Sequence, residues 1–499
     1  MRTGADQTAR RVVAVRVDRV KVVRIHDDAL SQVSYLIGCT QSNECLVLDP
    51  PRDVDRVLST AQEAGWKLLG AIETHLHADF VSGLRTLVER HGVHAWLSTE
   101  GTELPAWTAK CSDRVHALRD GDEVSIGRSG ALHLRAIHTP GHTTESMSFA
   151  ALGDGGQVLG LFTGDFIFAG EVGRPDLSSR LLGGTDPRIA ARALREALLK
   201  LEGFSGEVPL YPGHTAGSMC GRKICTLPRS SMAIERRINK SLQCAHDEEV
   251  FVEQVTRGLP DPPSYFSRVK AMNALGADAQ ELPQPEYLDA HSFLNRAREP
   301  GCVVLDTRCF TRFSEASLPN SISVSVDKWF ASAAGSYLER DDRVLMVVEP
   351  ALLEKAVRVL FRVGVDRLLA WTTPSELESL PDDAFFETDI NEISPREARR
   401  RLECGEATFL DARLCGEYEA GHLPGAIFAP FTQMPHRLAS LPRDQEIICY
   451  CRSGNRSELA CAYLRRHGFK VANLRGGYWP WAGRGFPIEV GAPVGVAHC

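Results

Sequence analysis

Residues 74–80 read Thr-His-Leu-His-Ala-Asp-Phe, which puts two imidazoles and a carboxylate at alternate positions on a loop after the strand-like run Leu68–Glu73. Side chains so spaced can converge on a cation, and nitrogen and oxygen donors suit zinc or iron. Three later loops offer the same donor types: residues 139–143 with His142, after the run Leu132–His138; residues 162–165, ending in Asp165; and residues 211–214, ending in His214. One such loop would be ordinary surface chemistry, whereas four in succession point to a single metal centre. Spacing leaves open which two histidines bind. His91, His94, His116, His133 and His138 lack a motif and read as structural or exposed.

A different chemistry is written into Ile447-Ile-Cys-Tyr-Cys-Arg-Ser-Gly-Asn-Arg-Ser457. An apolar strand runs into Cys451, and a helix begins near Ser457 with Leu459, Ala460, Tyr463 and Leu464 on its apolar face. A cysteine between a strand end and a helix N-terminus feels the positive end of the helix dipole. Arg452 and Arg456 flank it, and the amides of Ser453, Gly454 and Asn455 can form an anion cradle. These features favour a thiolate, so Cys451 reads as a nucleophile. Cys449, on the same strand, alternates away from Cys451's neighbours and reads as core.

These loops need scaffolds. From about Val22 to about Gly276, β-type runs (Val33–Gly38, Cys45–Asp49, Leu68–Glu73, Leu132–His138, Val158–Thr163) alternate with loops and amphipathic helices such as Ile189–Leu201. The proline-rich stretch Leu259–Phe266 interrupts regular structure near the end of this segment. The remaining chain repeats itself. Val304-Leu-Asp-Thr-Arg308 matches Phe409-Leu-Asp-Ala-Arg413, and Ala316–Ile322 matches Gly421–Ile427 at the same offset. Two copies of one α/β unit with buried parallel strands follow, joined by a short acidic linker near residues 381–393. The first copy lacks the chemistry. Its counterpart of the Cys451 loop is Val344-Leu-Met-Val-Val-Glu-Pro350, Ala316-Ser317 replace Gly421-His422, and Cys302 and Cys309 lie away from the loop position.

At 499 residues the chain is too long for one core, and at ~100–200 residues per domain it should hold about three. Its 43% hydrophobic, 24% charged composition is that of a globular protein. A net charge of −7 without a basic block excludes a nucleic-acid binder. No apolar run approaches the ~18 residues a bilayer span requires. The N-terminus has no apolar core of a signal peptide and carries Asp6 and Asp18, so residues 1–20 read as a tail leading into a strand. Fourteen cysteines without framework spacing indicate a reducing, cytoplasmic setting.

At its metal-type loops the segment 21–280 resembles the metallo-β-lactamase superfamily, whose first motif is His-x-His-x-Asp-His. Phe80 stands where that motif's last histidine would bind a second ion with Asp79 and His214, so the second site is expected to be weakened or absent. With Gly170–Asp176 and Gly213–Gly221, the segment is similar to the persulfide dioxygenases in particular. That resemblance implies His75, His142 and Asp165 as ligands of one Fe(II) per chain, with zinc as the alternative. His77, Asp79 and His214 would orient ligands or polarise substrate around them. It also implies Arg174 as a grip for a substrate carboxylate or phosphate and Cys220 near the pocket. The plainer alternatives are an internal salt bridge and a small buried hydrophobe.

The last repeat resembles the rhodanese family in Leu410–Arg413, Glu417–Ala426, the Cys451 loop and Leu474–Trp481. Phosphatases related to that family use Cys-x5-Arg. The shorter Cys451-x4-Arg456 loop suits a persulfide-sized group, which implies sulfur transfer with Arg452, Ser453, Gly454, Asn455 and Arg456 lining the substrate site. The expected fold class is α/β and multi-domain, an αββα metallo-β-lactamase sandwich followed by two rhodanese-like domains with parallel sheets. The expected boundaries are 1–20 for the tail, 21–280 for the dioxygenase domain, 281–382 for a degenerate, non-catalytic rhodanese-like domain and 383–499 for the active one. Expected partners are a small-molecule thiol persulfide, dioxygen and thiosulfate or sulfite, with neither nucleic acid nor membrane; a homo-oligomer is left open. The rival enzyme reading is a glyoxalase II-like dinuclear zinc thioester hydrolase. The rival non-catalytic one treats the first segment as a sulfur-sensing scaffold.

Overall fold

The computed structural model describes residues 15–17, 20–126, 132–153, 155–182, 186–227, 229–385 and 390–493. Most of the expected tail lies outside these residues, but Val15–Val17 is an edge strand, paired antiparallel with Val20–Asp27. The chain divides into two compact units, one reaching Arg257 and including Phe266–Glu281, the other comprising Gly258–Tyr265 and the residues from Leu282 onward. Among the described residues no helix is long and apolar enough to cross a membrane.

The first unit is built on two sheets. A seven-stranded sheet runs in sequence order through Val15–Val17, Val20–Asp27, Gln32–Cys39, Glu44–Leu48, Lys67–Ile72, His94–Ser98 and Val115–Leu118. The second runs Ser230–Ser231, Pro209–Pro212, Val158–Gly164, Met147–Leu152, Leu132–His138, Glu123–Ile126. Strand alternation sorts the side chains. Val33, Tyr35, Ile37 and Leu48 pack on Leu134, Phe149 and Phe162 between the sheets, while Leu36, Val47, Ala71 and Ala95 face the opposite way, onto Val57 and Ala61 of helix Asp55–Glu63 and Leu84, Leu87 and Val88 of helix Leu84–His91. On the second sheet's outer face, Ala150, Leu161 and Leu210 meet Ala191, Leu194 and Leu198 of helix Pro187–Lys200. The layers are therefore αββα. His75, His142, Asp165 and His214 each follow a strand end, where loop backbone is free to aim them.

The second unit contains two five-stranded, all-parallel sheets of identical order. The first runs Glu286–Tyr287, Leu368–Thr372, Arg343–Val347, Cys302–Asp306, Ser321–Ser323; the second runs Asn391–Ile393, Val471–Leu474, Glu446–Tyr450, Ala407–Asp411, Ile427–Phe428. The repeated Asp-x-Arg makes the same contacts in both. Arg308 chelates Asp306 and donates to the Ala316 carbonyl, and Arg413 chelates Asp411 and donates to the Gly421 carbonyl, each last bond 2.7 Å. The copies part at the loop after the middle strand. Residues 451–454 separate Glu446–Tyr450 from helix Asn455–Arg466, whereas only Val348 and Glu349 separate Arg343–Val347 from helix Pro350–Arg362. Two residues cannot form the cradle that four do.

Candidate metal centre and sulfur-transfer loop

His75, His142 and Asp165 converge in the first unit, all at most 4% exposed. His75 Nε2 and His142 Nε2 lie 3.7 and 3.6 Å from Asp165 Oδ2. Each ring is aimed from behind: His75 Nδ1 bonds Thr74 Oγ1 and His142 Nδ1 bonds the Arg174 carbonyl, both at 3.0 Å. His75 Nε2 and Asp165 Oδ2 are buried without a hydrogen-bond partner. Buried polar atoms are rarely left so, and two imidazole nitrogens and a carboxylate oxygen aimed at one point fit a divalent cation. Burial lowers the pKa of both histidines, keeping the rings neutral as ligands must be. Burial alone would raise Asp165, but His214, then His75 and His142, hold its carboxyl well below the usual range.

The neighbouring groups sort themselves around this trio. His214 bridges two carboxylates, with Nδ1 2.7 Å from Asp165 Oδ1 and Nε2 2.8 Å from Asp79 Oδ2. Burial opposes its charge, yet Asp165 and Asp79 raise its pKa well above the usual imidazole value. His77, its ring centroid 4.2 Å from that of His75, has Nε2 3.1 Å from Asp49 Oδ1, and neither of its buried ring nitrogens makes a hydrogen bond. Burial again opposes the charge, but Asp49, Glu73 and Asp79 push its pKa up to about 9. Phe80 is fully buried with its ring centroid 4.3 Å from that of His77. Cys220 is buried, and its sulfur shares a 4.8 Å neighbourhood with ligand atoms of Asp79 and His214.

Arg174, at 1% exposure, chelates Asp176 through Nε (2.7 Å) and Nη2 (2.8 Å) and donates to the Met219 carbonyl, the internal salt bridge that was its plainer alternative. An opening of about 130 Å³ reaches His75, walled by Glu73, Arg85, Trp107, Glu145 and Asn273.

Sequence reasoning missed the residues that hold the first motif. Asp49 sits at φ 51°, in the left-handed region, and accepts from Thr74 N (2.7 Å) and Oγ1 (3.0 Å). Asn273, on helix Tyr265–Leu275, donates to the carbonyls of His77 and Phe80 and accepts from Ser82 N. Glu145 accepts from Leu76 N at 2.8 Å. Only Asp49 carried a signal, a carboxylate at a strand end before Pro50-Pro51; Asn273 is nearly 200 residues from what it clamps.

In the second unit Cys451 lies at the end of strand Glu446–Tyr450, 1% exposed, and its sulfur accepts from Gly454 N at 3.2 Å. Gly454, at φ 117°, caps helix Asn455–Arg466. Arg452, Ser453 and Asn455 are exposed at the loop surface, and Arg452 lies over the Trp479 ring, 4.7 Å from its centroid. Arg456 is engaged within the protein. At 6% exposure it chelates Glu417 at 2.6 and 2.8 Å and lies 5.5 Å from the Trp329 centroid, so the ion pair braces the loop. A cleft beside the loop is lined by Arg413, Glu417, Gly421, Arg452, Tyr478 and Trp479.

Comparison with known proteins agrees with both halves. Residues 27–214 match the model of the metallo-beta-lactamase superfamily, and residues 394–484 match that of the rhodanese-like domain. A sulfurtransferase of Allochromatium vinosum is 42% identical over 108 residues, covering 21% of this chain and 99% of that protein. A hydroxyacylglutathione hydrolase of Rhodopseudomonas palustris is 26% identical over 215 residues, 43% of this chain and 74% of that one. Among solved structures, a metallo-beta-lactamase from Staphylococcus aureus superposes with a TM-score of 0.62 at 28% identity, covering 72% of this chain and all of that one.

Proposed function

We propose that this chain, which belongs to the rhodanese family through its C-terminal domain and carries a metallo-β-lactamase-fold domain ahead of it, oxidises a low-molecular-weight thiol persulfide at one ferrous ion and moves sulfane sulfur through Cys451. The supporting observation is the set His75, His142 and Asp165, two histidines and one carboxylate converging with orphaned ligand atoms, while a phenylalanine occupies the place of a further imidazole. A ferrous ion in such a set supplies positive charge and vacant positions for a sulfur ligand and dioxygen.

The chain's own groups prepare that reaction. Thr74 and the Arg174 carbonyl fix the two rings, and His214 fixes Asp165. The opening at His75, with Arg85 in its wall, accommodates the carrier half of the persulfide. In the overall conversion R–S–SH, dioxygen and water give R–SH, sulfite and two protons. In the rhodanese domain, the Cys451 thiolate attacks the outer sulfur of thiosulfate. The S–S bond breaks, sulfite leaves, and the Cys451 persulfide hands its sulfur to an acceptor thiol; the reverse course makes thiosulfate from persulfide and sulfite. Gly454 N donates to the sulfur that carries this charge. The middle copy, with two residues where the cradle needs four, serves as scaffold.

A second reading, a two-zinc thioester hydrolase, draws on the likeness to hydroxyacylglutathione hydrolases and on the retained Asp79 and His214. The two are separated by measuring oxygen uptake with a small-thiol persulfide after anaerobic iron loading. Asp165→Ala should lose iron and oxygen uptake while keeping thiosulfate sulfur transfer, and Cys451→Ser should do the reverse. Thioester cleavage by the zinc-loaded chain, with no oxygen uptake after iron loading, would overturn the dioxygenase reading.

A further inference from the structure

We infer that the first unit holds a ligand cavity separate from the opening at His75, one that takes a small carboxylate with an apolar body of about one ring. The cavity measures about 170 Å³ and is lined from strands Val20–Asp27 and Gln32–Cys39 of the first sheet and Pro209–Pro212 of the second. None of its lining residues borders the opening at His75, and neither His75, His142 nor Asp165 lines it.

Strand alternation exposes the anomaly. Val20, Val22 and Arg24 fall on one face of their strand, and the two valines pack in the core between the sheets. Arg24 follows them to that face, where a charged side chain costs stability unless it has a function. Its partner in register is Tyr35, whose hydroxyl donates to the Pro212 carbonyl at 2.8 Å. Arg24 Nε is buried with no hydrogen-bond partner, and among the described residues the guanidinium has no ion pair. Arg229, exposed at the rim, is also unpaired among them. Burial raises the Tyr211 phenol and Arg229 opposes that rise, so this second guanidinium lies near the Tyr211 hydroxyl.

The walls decide the ligand. Val22, Tyr35, Leu210 and Tyr211 make them largely apolar, and the Tyr211 ring is itself stacked on Phe162 with centroids 4.7 Å apart. An unpaired guanidinium N–H facing such walls is costly, and an anion relieves it with a charge-assisted bond. An engineered cavity of roughly 150 Å³ holds benzene, so the body that fits here is about one ring. A bare oxyanion would leave the apolar walls empty, and a neutral ring would leave Arg24 unpaired. An aryl carboxylate satisfies both. Nothing in this inference depends on which metal the trio binds.

Benzoate is the probe, and Cys225 reports on occupancy because it is exposed and lines the cavity. Benzoate should protect Cys225 of the full chain against iodoacetamide, read by peptide mass, along a saturable curve. That curve should be the same for iron-loaded and metal-free protein, and calorimetry should give a matching affinity. Arg24→Gln should shift the curve at least about tenfold, the loss expected for one charge-assisted hydrogen bond, and Arg24→Lys should recover part of it. Iron content and thiosulfate sulfur transfer should be unchanged in both. Ala169→Leu, which places a larger side chain in the wall, should abolish protection and decides the matter if Arg24→Gln folds poorly. Sulfate, an anion without a ring, and benzyl alcohol, a ring without a charge, should each protect at least tenfold more weakly. Failure of benzoate to protect Cys225, protection that requires iron, or protection that survives both Arg24→Gln and Ala169→Leu would overturn the site. Equal protection by sulfate or by benzyl alcohol would overturn the carboxylate assignment.

Discussion

Two glycines hold the reactive residues by having no side chain. Gly477, at φ 66°, has the Cys451 carbonyl 2.4 Å from where a Cβ would stand and Ser453 N 3.0 Å away. Gly173 has the Asp165 carbonyl 1.9 Å from that point. Gly477→Ala should therefore push the Cys451 loop outward and reduce thiosulfate sulfur transfer on the order of a hundredfold, the usual cost of an ångström-scale misplacement. Oxygen uptake, measured on the same preparation, should be unchanged; equal loss of both would mean general misfolding. Asn273→Ala should strip the clamp from the first motif, leaving the His77 and Phe80 carbonyls and Ser82 N unpaired at roughly 1–3 kcal/mol for each buried group. Iron affinity should fall by roughly 10–100-fold, as for other lost groups behind metal ligands, read by competition with a chelator. The candidate residues His75, His142, Asp165 and Cys451 stood out because their chemistry is concentrated in short motifs after strands, although the choice of His75 and His142 among the histidines came from the family resemblance and not from spacing. Asn273 was not, since an asparagine late in a helix looks like any other until folding brings it to the motif. The ion-pair partners of Arg174 and Arg456, Asp176 and Glu417, were not legible, because a sequence shows a guanidinium's charge and hides what it pairs with.

At the level of elements, the helix Asn455–Arg466 and the short helix Cys415–Glu419 are tied by the Arg456–Glu417 ion pair, which fixes the helix end beneath the Cys451 loop. Burial would raise the Glu417 carboxyl, but Arg456 lowers it further than burial lifts it. A carboxylate depressed in the folded chain contributes stability that is present above the ordinary glutamate range and is lost as pH falls through the folded value. Sulfur transfer should hold through neutral pH and fail in acid. Glu417→Gln should be weaker at neutral pH with a shallower acid limb, and an unaltered pH profile would show that the pair does not brace the loop. Strand positions were readable from apolar runs: Leu132–His138 is reproduced residue for residue, and Val158–Thr163 extends by one to Gly164. The strands Val115–Leu118 and Pro209–Pro212 escaped because each is four residues long with mixed polarity, placed by sheet pairing more than by its own pattern. The middle copy's lack of a cysteine at the loop position was visible in the sequence, whereas the two-residue shortening of its loop needed both sheets side by side.

For the whole molecule, the central issue is what joining the two chemistries achieves. The trio lies in the first compact unit and the Cys451 loop in the second. On the proposed function the fusion acts through concentration: a persulfide formed at Cys451 and released on a small thiol emerges tethered to the domain proposed to oxidise it, and covalent linkage raises the effective concentration without any new contact. Thiosulfate plus a small thiol should therefore drive oxygen uptake by the intact chain, and Asp165→Ala and Cys451→Ser should each abolish it. Mixing those two variants should restore uptake, weakly at low protein concentration and increasingly as concentration rises, because a diffusing persulfide must travel between chains. Restoration independent of concentration would mean that the carrier equilibrates freely and the tether contributes nothing. No restoration at any concentration would mean that sulfur passes only within one chain, and the diffusing-thiol picture would fail.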